Sequence, residues 1–263
     1  MCFFLLYQLC RFITMSWIRH NVSKTKLQHN AFFKVASQQV QNDVEAINEI
    51  VNPPKKTITP EKSYMSNEYD TDSCMTHIDA ILYISYDKQK EESIIKEIRK
   101  IDPKLKRTLK IDAVENENLP LKATQSHILA LQEIVKNTAW NNCLILEDDF
   151  QFNNTNNSLI HNTINYFINT VKNYDMLLLA ANKDDTKFED TDYAFINKVT
   201  STTNKSAYII PRKYLFKLIG NYIKSSILIK KEGFKEEYAM SNFWEKLYTT
   251  DNWYSFTESL GSN

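Results

Sequence analysis

Between residues 78 and 181 the chain alternates short apolar runs with segments whose apolar residues recur every three or four positions, a pattern that few folds satisfy. Residues 78–85 form the first run. Residues 88–101 follow with helical spacing through Ile94, Ile95 and Ile98, until Asp102-Pro103 breaks it. The spacing then predicts a strand over 108–114, a helix over 124–136 with Ile128, Leu131, Ile134 and Val135 inward, and a strand over 143–146. An amphipathic helix over 159–171 and a fourth strand over 176–181 complete the series. Strands joined through helices cross over and pair in parallel, with helices covering both faces. The expected fold is therefore α/β, three layers with a mostly parallel central sheet and ligands bound beyond the carboxyl ends of the strands. Residues 193–199 and 207–210 read as shorter strands ahead of a helical, aromatic-rich tail.

The first third of the chain follows other rules. Residues 2–18 are apolar, but Arg11 splits the run and it falls short of the ~20 residues a spanning helix needs. Neither a basic segment before it nor a small-residue cleavage site marks it as a signal peptide. The expectation is a cytoplasmic protein, with membrane contact through residues 2–18 as the alternative. Sequons at Asn21, Asn153, Asn156 and Asn204 permit glycosylation in a secretory compartment, although two of them crowd the site described next. Phe33, Ala36, Val40, Val44, Ile47 and Val51 predict an amphipathic helix, which Pro53 and Pro54 stop. This divides the chain into a helical extension (1–52), a polar linker (53–76) and a domain of enzyme size (77–263).

Composition removes several functions. Lys plus Arg (32) equals Asp plus Glu (32), so no net field draws the protein to nucleic acid. The three glycines, Gly220, Gly233 and Gly261, are isolated, which excludes a glycine-rich phosphate loop. Cys2, Cys10, Cys74 and Cys143 lack the C-x-x-C spacing of zinc or redox sites and read as free thiols.

The chemistry concentrates at Glu147-Asp148-Asp149, which follow the strand over 143–146 without a break. An acidic turn after a strand produces the same triplet. Adjacent carboxylates at a strand end nevertheless repel one another unless a cation joins them. Their hard oxygens suit Mg²⁺ or Mn²⁺, which bridges phosphates. Ser126 and His127 fall at the opening of the helix from Thr124, where free backbone N–H groups and the dipole favour an anion. Asp112 ends the second strand.

Ile145-Leu146-Glu147-Asp148-Asp149-Phe150, preceded by Gln125-Ser126-His127 and by Ile111-Asp112-Ala113-Val114, resembles the pattern of glycosyltransferase family 25. That family includes lipooligosaccharide and collagen galactosyltransferases and has a GT-A-like fold. Tyr174-Asp175-Met176-Leu177-Leu178-Leu179 and Lys205-Ser206-Ala207-Tyr208-Ile209-Ile210 are similar to later family segments, so the likeness runs in order over residues 77–260. Two departures stand out. The opening segment is Ile84-Ser85-Tyr86-Asp87-Lys88, without the two arginines of the family, and Ser241-Asn242-Phe243-Trp244 lacks the late aspartate.

The resemblance implies transfer of a hexose, galactose in the named members, from a UDP-sugar to a hydroxyl of a glycan or protein acceptor, as in lipopolysaccharide biosynthesis. It implies Mn²⁺ or Mg²⁺ on Glu147 and Asp149, with Asp148 assisting, and a donor held by Ile84, Ser85, Asp112, Ser126, His127 and Glu147. An inverting transfer also needs a carboxylate base. Asp184, Asp185, Glu236, Glu237 and Asp251 are candidates beside Asp148 and Asp149. Trp244, Trp253, Tyr254 and Phe256 read either as a sugar-stacking surface or as core. The alternative function is a degenerate glycosyltransferase-fold binding module.

Overall fold

The computed structural model describes residues 75–181 and 183–263. The expected extension over 1–52 with its helix and apolar run, and all but the last two residues of the linker over 53–76, lie outside the described residues. Eight strands form the main sheet, β1 (Ala80–Ser85), β2 (Thr108–Asp112), β3 (Asn142–Glu147), β5 (Met176–Leu178), β6 (Thr186–Asp190), β7 (Ile196–Thr202), β8 (Ala207–Pro211) and β9 (Trp253–Phe256). Their order is β2-β1-β3-β8-β5-β9-β7-β6. β1 pairs in parallel with both β2 and β3, and β5 with β9; β8 runs antiparallel to β3 and β5, and β7 antiparallel to β9 and β6. All strands but β7 and β8 therefore point one way, as the alternation of strands and helices requires. β4 (Gln151–Phe152) and β10 (Gly261–Ser262) make a separate antiparallel pair.

Helices cover both faces of the central strands because β1, β3, β5 and β8 are buried along nearly their whole length. Ile81, Tyr83, Leu144, Leu146, Leu177 and Ile209 face Ile94 and Ile98 of α1 (Glu91–Ile98) and Ile160, Ile164 and Phe167 of the next-but-one helix, α3 (Asn157–Thr170). Between these two lies α2 (Leu119–Lys136), which packs with α4 (Leu215–Glu232). The two-residue period of the strands hands them Leu82, Ile84, Ile145 and, at the end of β3, Glu147. This is the expected three-layer α/β arrangement. Two one-turn helices, α5 (Met240–Phe243) and α6 (Glu245–Tyr248), bring Trp244 into the core, where it meets Trp253 with ring centroids 5.0 Å apart. Both tryptophans are fully buried, so they are core and not a sugar platform.

α1 ends at Ile98, ahead of the expected break at Asp102-Pro103, and Asp102 has another part. Its carboxylate accepts from the amides of Lys106 (3.1 Å) and Arg107 (2.9 Å) and from the Thr108 hydroxyl (2.7 Å), folding the loop that starts β2. α2 departs from expectation, beginning five residues before Thr124. Asn118 caps it, its side chain accepting from Leu121 N at 3.0 Å, and Pro120 follows in the first turn. Asn118→Ala is expected to lower stability by about 1 kcal/mol in chemical denaturation, with Asn118→Asp close to wild type; equal midpoints for all three would deny the cap.

No helix among the described residues is long and apolar enough to cross a membrane.

Candidate functional site

The carboxyl ends of β1 and β3 lie side by side, with Ile84 opposite Glu147 and Ser85 opposite Asp112. The chain after β1 is tied to the acidic turn after β3. Asp148 Oδ2 accepts from the backbone N–H of Tyr86 (2.5 Å) and Asp87 (2.7 Å), so this buried carboxylate serves as an anchor between the two loops. Asp149 is half-buried, with Oδ1 enclosed and holding no hydrogen-bond partner. Burial first, then the neighbouring Glu147 charge, raises its carboxyl above the ordinary value. Such a shift makes a stronger base.

Glu147 is almost fully enclosed and fully engaged. Lys205 Nζ lies 2.6 Å from Oε1 and 2.7 Å from Oε2, and His127 Nε2 lies 3.2 Å from Oε1. Burial would raise this carboxyl, yet the His127 hydrogen bond and the Lys205 ammonium outweigh it and hold Glu147 at about 2. Burial also lowers His127. An ionised Glu147 only accepts, so a neutral His127 donates from Nε2 and takes the Tyr208 hydroxyl on Nδ1 at 2.8 Å. The result is a buried line from Lys205 through Glu147 and His127 to Tyr208.

Because α2 starts at Leu119, Ser126 and His127 sit about two turns inside it and do not open it. The Ser126 hydroxyl donates to Lys122 O (2.7 Å) and accepts from Val114 N (2.9 Å), fixing the β2–α2 loop. The expected anion contact at these two residues is corrected accordingly: their amides belong to the helix ladder. Leu119, Pro120 and Ala123 of the first turns line a cavity of about 470 Å³ together with Glu147, Asp148 and Asp149.

Three lysines line the same cavity, Lys90 after β1, Lys122 on α2 and Lys205 before β8. Lys205 was legible only as part of a strand-like segment; its partner is 58 residues away in sequence. Its neighbours hold it firmly. Asn204 donates to Ala180 O (3.2 Å) and Asp185 Oδ2 (3.0 Å) and accepts from Ser206 N (3.2 Å), while Glu147 N donates to Ser206 O at 2.7 Å. A buried Asn204 doing this is a structural residue and not an exposed sequon.

The remaining expected site residues scatter. Asp185 is engaged by Asn204 and by the Thr186 hydroxyl at 2.6 Å. The Asp112 side chain is 87% exposed beside Lys110 at 3.3 Å, away from the cavity lining. Asp251 is corrected most sharply: it precedes β9, whose first residue Trp253 pairs with the first residue of β5, Met176. Met176 is level with Cys143 across β8, so Trp253 is already four steps of ~3.3 Å from Glu147 along the strands, and Asp251 lies beyond it at their opposite, amino end. There it bonds Tyr214 and Lys217 and is no base for this cavity.

The expected Mn²⁺ or Mg²⁺ on Glu147 and Asp149 does not fit this donor set. A divalent cation asks for free carboxylate oxygens. Both oxygens of Glu147 face the Lys205 ammonium and one also meets His127, so of the expected pair only Asp149, whose enclosed Oδ1 holds no partner, is open to a cation, and Asp148 has one oxygen committed to two amides. Among the described residues no three His, Cys, Asp or Glu side chains gather as a ligand set.

No protein-family model matches the chain, and no curated protein matches it. Solved structures do. A197 from STIV is similar at 11% identity, covering 70% of this chain and 83% of that one, with a TM-score of 0.41. UDP-glucose pyrophosphorylase complexed with UDP-glucose is similar at 7% identity, covering 67% and 72%, with a TM-score of 0.41. A glycosyltransferase involved in the glycosylation of the major capsid of PBCV-1 is similar at 10% identity, covering 68% and 92%, with a TM-score of 0.33.

Proposed function

We propose that the chain is a glycosyltransferase that takes a hexose from a nucleotide sugar, a UDP-sugar by the family 25 resemblance, to a hydroxyl of a glycan or protein. One observation carries this reading. A single cavity at the carboxyl ends of β1 and β3 is lined by a carboxylate of raised basicity, Asp149, and by three ammonium groups. A diphosphate leaving group and an acceptor hydroxyl need that combination. In an inverting transfer Asp149 takes the acceptor proton as the acceptor oxygen bonds to the anomeric carbon. The bond from that carbon to the phosphate oxygen breaks with its electron pair on the nucleoside diphosphate, whose charge the lysines stabilise.

The test is release of UDP from a panel of UDP-hexoses with and without glycan acceptors. Asp149→Asn, which keeps size and removes the base, is expected to slow release at least ~100-fold while leaving UDP affinity within a few-fold. Equal turnover in wild type and variant removes Asp149 from the reaction. A binding module without transfer is the second reading, favoured by Asn242, which stands before Phe243-Trp244 and donates to Glu236 O at 2.9 Å instead of offering a carboxylate. It predicts UDP-sugar binding with no release under any acceptor.

A further inference from the structure

We propose that Lys205 takes the place of a divalent cation, so that the cavity holds a nucleoside diphosphate without metal. The inference rests on the nucleotide-sugar reading above and deepens it. Repulsion among clustered carboxylates ordinarily calls for a metal ion at a strand end of this kind, and here a covalently tethered ammonium meets that need. Lys205 Nζ spans both oxygens of Glu147 at 2.6 and 2.7 Å, the position of a chelated cation. It is also poised to act outward. Its side chain is 30% exposed against 6% for Glu147, so of the two groups that line the cavity the lysine is the more open to it.

The other charges agree with this assignment. Asp148 is turned onto the amides of Tyr86 and Asp87. Lys122, whose Nζ stands 5.8 Å from the Tyr86 ring centroid, and Lys90 add two more ammonium groups to the lining. The amino end of the 18-residue helix α2 lines the same cavity, so its dipole adds to the positive potential. Asn204 and Ser206 pin the backbone on either side of Lys205, so the ammonium is placed before any ligand arrives.

Isothermal titration of the full chain with UDP and with UDP-hexoses, in EDTA and again in Mn²⁺, tests the proposal. Affinity is expected to agree within about twofold between the two conditions, and to fall at least tenfold in Lys205→Met. Because Lys205→Met strands Glu147, the double variant Lys205→Met/Glu147→Gln is measured beside it, with far-ultraviolet circular dichroism confirming the fold; it is expected to bind as weakly. Lys205→Arg is expected to retain binding in EDTA. Binding that appears only with Mn²⁺ overturns the role of Lys205 and leaves the glycosyltransferase reading standing. Unchanged affinity in the folded double variant overturns it too. No binding of UDP or any UDP-hexose in either condition removes the nucleotide-sugar reading, and this inference with it.

Discussion

Glu147→Ala is expected to lower the stability of the fold by about 3 kcal/mol at pH 7, the low end of what removing one partner of a buried ion pair costs. The size follows from what is left behind. Lys205, 30% exposed, can turn toward water. His127 cannot: it is fully buried, and its Nε2–H loses its acceptor, which by itself costs roughly 1–3 kcal/mol. Glu147→Gln keeps an oxygen for His127 and is expected to lose less. Adding Lys205→Met to Glu147→Ala is expected to recover part of the loss, because the stranded cation goes. Urea denaturation of the four proteins gives these differences, and a loss below about 1 kcal/mol in Glu147→Ala would show that the carboxylate is not held as described.

The same group sets an acid limit. Glu147 is held at about 2 against an ordinary 4.5, so its folded-state pKa is depressed. The stability it contributes is fully present above 4.5 and is lost as pH falls from there toward 2. Wild type should therefore weaken across that window more steeply than Glu147→Gln.

The second large effect is expected at Gly261, where a Cβ would stand 2.2 Å from Phe150 Cε2, 2.4 Å from Cζ and 2.7 Å from the Gln151 carbonyl oxygen. Neither neighbour yields easily. Phe150 is buried and packs edge-on against Phe152 at 4.8 Å, and Gln151 is in β4, paired to β10. Gly261→Ala is expected to cost about 3 kcal/mol, the upper end for overpacking a core. Phe150 directly follows Asp149, so the substitution also displaces the acidic turn and should weaken UDP binding. Phe150→Leu in the Gly261→Ala background opens room for the methyl and should restore part of the stability. A thermal midpoint of Gly261→Ala equal to wild type would mean that β10 does not close over Phe150.

These sites differ in how far the sequence alone reveals them. The acidic triplet at the end of β3 was legible, because strand period and strand length are local properties of some six residues. Asn118 and Pro120 also mark the start of α2, and weighing them above the apolar spacing from Thr124 would have placed Ser126 and His127 inside the helix. The part played by Gly261 left no local signal, since the ring it must accommodate belongs to a residue 111 positions earlier. Asp251 shows the opposite failure. A carboxylate near a late strand resembles a base until the direction of that strand is known.

What the sequence determined by itself is the class of fold and the position of the carboxylates on it: helical and extended periods are short-range, and crossovers through helices force most strands to run one way. What only the tertiary structure decided is the state of those carboxylates. β8 enters the sheet antiparallel between β3 and β5, which brings Lys205 onto Glu147, while α2 sets His127 behind the same group. Ion pairing in a buried site depends on distances of a few ångströms between segments far apart in the chain, and no local pattern encodes them.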